Sequence, residues 1–260
     1  MAADRWVRVE AEDGGLRVLT LDKAPVNALG RELVLDLTQA LERLTGDEEA
    51  RCLIVRSAGK HFCAGADLKE RKGMSLDDVR AFVPKLAGCC NLLASIPYPT
   101  IAAVGGAAAG GGCELAIAAD FRILADNASI GLRETALAII PAAGGTQRLP
   151  RLIGPSRAKR WVLAAEMHTA EEALRDGVAD RVVPVAELDA AARELAETLA
   201  ANGPVAVRLA KHAIEQGAHL PLDQALRVEW ESYRRTLETE DRVEALRAFA
   251  EKRPPRFRGR

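Results

Sequence analysis

Short apolar runs alternate with helical repeats along the first half of this chain. Leu16 to Leu21 reads as a strand, followed by a loop through Lys23 to Asn27. Leu33, Leu37, Leu41 and Leu44 recur at helical spacing, which predicts an amphipathic helix ended by Gly46. Cys52 to Val55 is a continuous apolar run, as expected of a strand covered on both faces. A second helix is predicted over Asp77 to Ser95 and a second buried strand over Thr100 to Val104. A glycine turn then opens a third helix at about Gly112, and Phe121 to Ala125 reads as another strand. The layering is α/β, built from repeated strand-strand-helix units.

From Pro155 onward the strand signal nearly vanishes. Thr169 to Glu172 has the form of a capping box. Helices are predicted over Glu187 to Ala201, Pro204 to Gly217, Leu222 to Thr239 and Asp241 to Lys252, with Gly203 and Gly217 as breaks. The C-terminal third is therefore expected to be an all-helical appendage. Leu226, Val228, Trp230, Tyr233 and Leu237 spread apolar bulk over more than one face of its third helix, more than a solvated appendage needs.

Composition narrows the function. A hydrophobic fraction of 48% is ample for a core, and a net charge of −1 argues against general nucleic-acid affinity. The five cysteines form no CxxC pair, so neither a disulfide framework nor a zinc site is expected. Reduced thiols and a start without an apolar signal segment point to a cytoplasmic protein. The uncharged stretch Leu86 to Cys113 is broken by Pro97, Pro99 and glycines, and reads as core, not as a bilayer span. The four histidines show no metal spacing.

Two glycine turns carry the candidate chemistry. One is Phe62 to Asp67; the other is Ala109 to Glu114, directly after an apolar strand. Small residues leave backbone N–H groups uncovered, and two such groups from separate turns can form an oxyanion hole. Taken alone, either turn reads more simply as packing glycines at a strand–helix corner. A second glutamate, Glu134, lies ahead of the Pro141 to Gly145 turn. Glutamates beside glycine corners are costly to bury, and a site that moves a proton and a water molecule has a use for two.

These motifs resemble those of the crotonase, or enoyl-CoA hydratase/isomerase, superfamily. The resemblance runs through Asn27 to Leu29, Phe62 to Glu70, Ile101 to Asp120, Gly131 to Pro150, Gly203 to Ala210 and Glu251 to Pro255. Phe62 to Arg71, Leu137 to Pro141 and Lys252 to Pro255 make it most similar to the branched-chain enoyl-CoA hydratases, the group containing 3-methylglutaconyl-CoA hydratase. The resemblance implies a crotonase-type spiral over residues 1–200 and a helical oligomerisation region over 201–260. It implies a homotrimer, or a hexamer made as a dimer of trimers, with the C-terminal helices in the trimer contact.

The implied activity is reversible syn addition of water to a short or branched 2-enoyl-CoA, as in fatty-acid or branched-chain amino-acid breakdown. The amides of Ala66 and Gly111 would hold the thioester oxygen. Glu114 would activate water and Glu134 would deliver a proton to the α-carbon. Ala64, Asp67, Leu68 and Lys69 fall at substrate-binding positions, although Asp67 suits a turn-buttressing role equally well. Phe249 and Lys252 match a region that contacts CoA, from a neighbouring subunit or the same one. Lys69 and Arg71 could reach CoA phosphates or simply form a solvated face. No metal or redox cofactor is implied; CoA is part of the substrate.

Three features depart from the family's pattern or bear on rival readings. Arg133 stands where neutral residues are usual; it would form an outward ion pair or, less simply, bind a substrate carboxylate. A Δ3,Δ2-enoyl-CoA isomerase is the nearest rival, disfavoured because both glutamates are kept. RNA binding through the helix Arg31 to Leu44 is disfavoured because that helix interleaves Glu32, Asp36 and Glu42 with its arginines and has no lysine.

Overall fold

The computed structural model of the chain describes residues 6–260. Nine strands lie among them: β1 Val7–Glu12, β2 Leu16–Leu21, β3 Cys52–Ser57, β4 Thr100–Val104, β5 Ala107–Ala109, β6 Phe121–Ala125, β7 Ser129–Gly131, β8 His168–Thr169 and β9 Arg181–Val183. Six form one sheet in the order β1-β2-β3-β4-β6-β9, parallel except for the β1–β2 hairpin. The short strands β5, β7 and β8 form a second sheet.

Helices follow the strands: α1 Arg31–Thr45, α2 Leu68–Lys72, α3 Leu76–Ala94, α4 Gly111–Ala116, α5 Gly145–Ile153, α6 Pro155–Leu163, α7 Ala170–Asp176, α8 Leu188–Ala200, α9 Pro204–Gly217, α10 Leu222–Thr236 and α11 Glu240–Ala250. The capping box at α7 forms as expected: Thr169 Oγ1 accepts from the Glu172 amide and the Glu172 carboxylate accepts from that of Thr169. Ser75 and Asp78 close an equivalent box on α3.

The period-two pattern of the central strands divides two cores. Leu19, Leu21, Leu53, Val55, Ala102 and Val104 face one side, where α1 contributes Leu33, Leu37, Leu41 and Leu44 and α3 contributes Leu86 and Leu93. Val18, Cys52, Ile54, Ile101 and Ala103 face the other, against Ala191, Ala192, Ala196 and Ala200 of α8. The alanine face lets that helix lie close on the sheet.

Three strands correct the sequence reading. β1 has charged or polar residues at alternate positions and buries only Val7, because it is an edge strand with one sheet neighbour. β8 and β9 interrupt the stretch expected to be all-helical, and two or three residues are too short to carry a periodic signal. The last helices dock onto the sheet through charge. Lys211 of α9 meets Asp120 at 2.7 Å and the Tyr98 carbonyl at 3.1 Å. Arg208 donates to the Ala50 carbonyl at 2.7 Å and stacks 5.0 Å from the Tyr98 ring centroid. α10 packs on α9, leaving Leu222, Trp230 and Tyr233 exposed; Phe249 of α11 is 85% exposed.

Candidate active site

The first turn is positioned by pairing at a distance. Cys63 donates its amide to Ala107 at 3.1 Å and accepts from Ala109 at 3.0 Å, which locks the turn to β5. Asn27, 3% exposed, braces the other side through Nδ2 bonds to Ser57 Oγ at 2.8 Å and the Phe62 carbonyl at 3.0 Å. The amides of Ala64 and Asp67 donate to Val26 and Leu29. The Ala66 amide between them has no acceptor among the described residues.

The second turn leaves β5 at Gly110, whose φ of +52° belongs to the left-handed region and whose amide donates to the Gly131 carbonyl at 2.8 Å. The next amide, of Gly111, likewise finds no acceptor among the described residues. The two turns touch. A Cβ on Gly65 would strike the Ala109 carbonyl and lie 3.1 Å from the Gly111 nitrogen, and one on Gly111 would lie 3.8 Å from the Ala66 nitrogen. The close approach requires glycine, and it brings the two unpaired amides together.

Glu114, in the first turn of α4, is 2% exposed. Its Oε1 accepts from the amides of Ala143 at 2.7 Å and Gly145 at 2.8 Å. Burial pushes its carboxyl above the ordinary value, and those amides with the Arg148 guanidinium pull part of the way back. Arg148 also holds the turn, donating to the Ala143 carbonyl at 3.0 Å and to Asn91 of α3 at 2.6 Å.

Glu134 opens a one-turn 3₁₀ helix, Glu134–Leu137, just after β7. A Cβ on Gly110 would lie 2.6 Å from its Oε1, so its carboxyl covers the second turn. Its Oε2 is buried without a partner among the described residues. Burial, and next the Glu114 charge, raise it from 4.5 to about 7. The effect of the Glu114 charge on Glu134 reports two carboxyls near each other.

Both glutamates, Ala66 and Gly111 border one cavity of about 650 Å³ whose walls are otherwise largely apolar, including Val79, Val83, Leu86 and Ile140. An apolar pocket with few convergent polar groups and a carboxyl poised near neutrality can bind a small acyl group and exchange protons with it. Among the described residues no group of three His, Cys, Asp or Glu side chains is placed to hold a metal ion.

The other residues anticipated from sequence divide. Ala64 and Leu68 border the cavity. Asp67 caps α2, accepting from the amides of Lys69 and Glu70, both at 3.1 Å. Lys69 is exposed and does not border the cavity; neither do Phe249 or Lys252, both exposed. Arg133 makes no ion pair among the described residues, contrary to the simpler expectation for it, and sits at the cavity's exposed rim. Cys113 is buried core beside Glu114. Asn27 as a brace, Asn91 and Arg148 were not anticipated in these roles: their partners lie far off in sequence, and no local pattern marks them.

Comparison with known proteins shows the family. The enoyl-CoA hydratase/isomerase family model matches residues 11–260. Human methylglutaconyl-CoA hydratase is 46% identical over 257 residues, covering 96% of this chain and 76% of the human protein. The enoyl-CoA isomerase/hydratase fer4 of Mycosarcoma maydis is 44% identical over 260 residues, covering 96% and 95% of the two chains. The crystal structure of an enoyl-CoA hydratase from Bacillus anthracis superposes with a TM-score of 0.96 at 43% identity, covering 98% of this chain and all of that one.

These relatives correct the expected compartment. The human, mouse and rat methylglutaconyl-CoA hydratases are mitochondrial by name, as are the human and mouse enoyl-CoA hydratase domain-containing proteins 2, which overturns the cytoplasmic assignment. The five buried, unpaired cysteines report redox conditions and carry no address. Its fold, its paired carboxyls and these matches together make the chain a member of the enoyl-CoA hydratase/isomerase family, a crotonase-fold enzyme of the hydro-lyase type that acts on acyl-CoA thioesters.

Proposed function

We propose that the protein is an enoyl-CoA hydratase that adds water reversibly, and syn, across the double bond of a short or branched 2-enoyl-CoA. The observation that carries this reading is the pair of carboxyls, Glu114 and Glu134, that border one cavity with two amides lacking an acceptor. The Ala66 and Gly111 amides hold the thioester oxygen as it gains enolate character, each contributing roughly 3–4 kcal/mol to transition-state stabilisation. Glu114, oriented by the Ala143 and Gly145 amides, positions and deprotonates the water that attacks the β-carbon. Glu134, raised to about 7, holds a proton near neutrality and passes it to the α-carbon on the same face. Ala64 and Leu68 contact the substrate where they border the cavity, and Asp67 contributes by fixing the turn that presents Ala66.

The same reading assigns residues 1–200 to the catalytic spiral and 201–260 to subunit assembly as a trimer or a hexamer of two trimers. The exposed apolar groups of α10 and α11 support it. Phe249, Lys252 and Lys69 then meet CoA where one subunit borders the next. The helix α1, with alternating charges, gives no basic footprint for RNA.

Glu114→Gln tests the reading. It should lower kcat for hydration of crotonyl-CoA by about 10²–10⁴-fold with little change in Tm. A variant that hydrates as fast as its parent would end the two-glutamate scheme, and one that kept double-bond migration alone would point to an isomerase.

A further inference from the structure

Resting on that reading, we propose that Thr135 is a positioning residue for Glu134: its hydroxyl ties the short helix that carries the proton donor to the end of α6. The two glutamates are held differently. Glu114 Oε1 is clamped by the amides of a separate turn, those of Ala143 and Gly145, at 2.7 and 2.8 Å. The hydrogen bonds that bear on the Glu134 carboxyl come from the backbone of Glu134 itself and of Arg133, and its Oε2 has no partner among the described residues. Where this carboxyl points therefore depends on where its own stretch of backbone sits.

That stretch has little else to hold it. Ala136 to Ile140 are all exposed. Ala138, which closes the one-turn helix, has a φ of +57°, a left-handed conformation that an alanine adopts at a cost. The backbone bonds are local, from the Ala138 amide to the Thr135 carbonyl and from the Ile139 amide to the Glu134 carbonyl. Among the described residues one hydrogen bond leaves residues 133–140: Thr135 Oγ1 donates to the Val162 carbonyl at 2.8 Å.

The acceptor is firmly fixed. Val162 lies in the last turn of α6, where helix geometry leaves carbonyls without an intrahelical donor. The residue before it, Trp161, is fully buried and stacks on His168 of β8 with ring centroids 3.9 Å apart. Its Nε1 donates to Asp176 of α7 at 2.8 Å. The Thr135 hydroxyl thus connects the segment bearing Glu134 to the core. Misplacing a reacting group by about 1 Å costs roughly 10²-fold in rate, so one well-placed bond is enough to matter.

Thr135→Val, which keeps the side chain's shape and removes its hydroxyl, tests the proposal through crotonyl-CoA hydration. Its kcat should fall about 10- to 100-fold while KM stays within about twofold of the parent's, because the bond serves the chemical step and not binding. Thr135→Ser, which keeps the hydroxyl, should recover most of the loss. Placing Thr135→Val in a Glu134→Gln background separates positioning from packing: a residue that acts through Glu134 should cost little further once that carboxyl is gone. An unchanged kcat overturns the proposal, as does a serine variant no faster than the valine one, or a full additional loss beside Glu134→Gln. Should Thr135→Val fail to fold, Thr135→Ala is read by the same comparisons. The hydratase reading is scored separately: a Glu134→Gln variant as fast as its parent defeats that reading. A slow Glu134→Gln beside a fully active Thr135→Val defeats only this inference.

Discussion

Glu134 is one carboxyl whose environment changes what it does. Raised from 4.5 to about 7 by burial and by Glu114, it binds a proton more tightly folded than unfolded. Stability from that proton is therefore fully present below pH 4.5 and is lost as pH rises through about 7. Glu134→Gln, which cannot ionise, should match its parent in acid and exceed it above pH 7. The gain should be on the order of 2 kcal/mol, part of the effect being screened by solvent. Urea unfolding at pH 4.5 and pH 8 measures it. Activity should follow the same titration. Hydration needs the protonated form, so its kcat/KM should fall above about pH 7, while dehydration should rise through the same range.

At the scale of elements, the site depends on α5 being tied to α3. Arg148 spans the Ala143 carbonyl and Asn91, and the turn it holds supplies both amides to Glu114. Arg148→Met should release that turn and remove a cation that favours ionised Glu114. The acid limb of the pH–rate profile should then move upward, and kcat should fall between about 10- and 100-fold, as small misplacements of a catalytic group do. A variant whose kcat fell with an unmoved acid limb would show the brace to be packing alone.

The whole molecule is held to its last helices by a few partly buried charges. Lys211, with a side chain 10% exposed, joins α9 to Asp120, which in turn accepts from the amide and hydroxyl of Thr100. Lys211→Met leaves Asp120 without its cation and should cost about 3 kcal/mol in thermal or urea unfolding. Beyond that joint, Trp230 and Phe249 stay 58% and 85% exposed, the apolar surface on which the proposed assembly rests. Light scattering at micromolar concentration should return three or six times the 27.9 kDa chain mass. Phe249→Asp should shift the distribution toward monomer; a parent that is itself monomeric would remove the assembly proposal.

Wherever a signal was local, the amino-acid order sufficed. Leucines at helical spacing specify α1, continuous apolar runs specify β3 and β4, and Thr169 with Glu172 marks the start of α7. Glycines mark both turns of the site because only a residue without Cβ tolerates the approach at Gly65 and Gly112. Short strands with a single sheet neighbour, β8 and β9, leave no such mark, since what stabilises them is a ladder to residues far away in sequence. The same distance separates the order of residues from the chemistry. Two amides come together free because folding ties down the turns that carry them through other amides, those of Ala64, Asp67 and Gly110. A glutamate is raised to about 7 because folding buries it and sets a second one near it. Bonding and solvation among groups that meet only on folding decide those properties, and no window of the chain contains them.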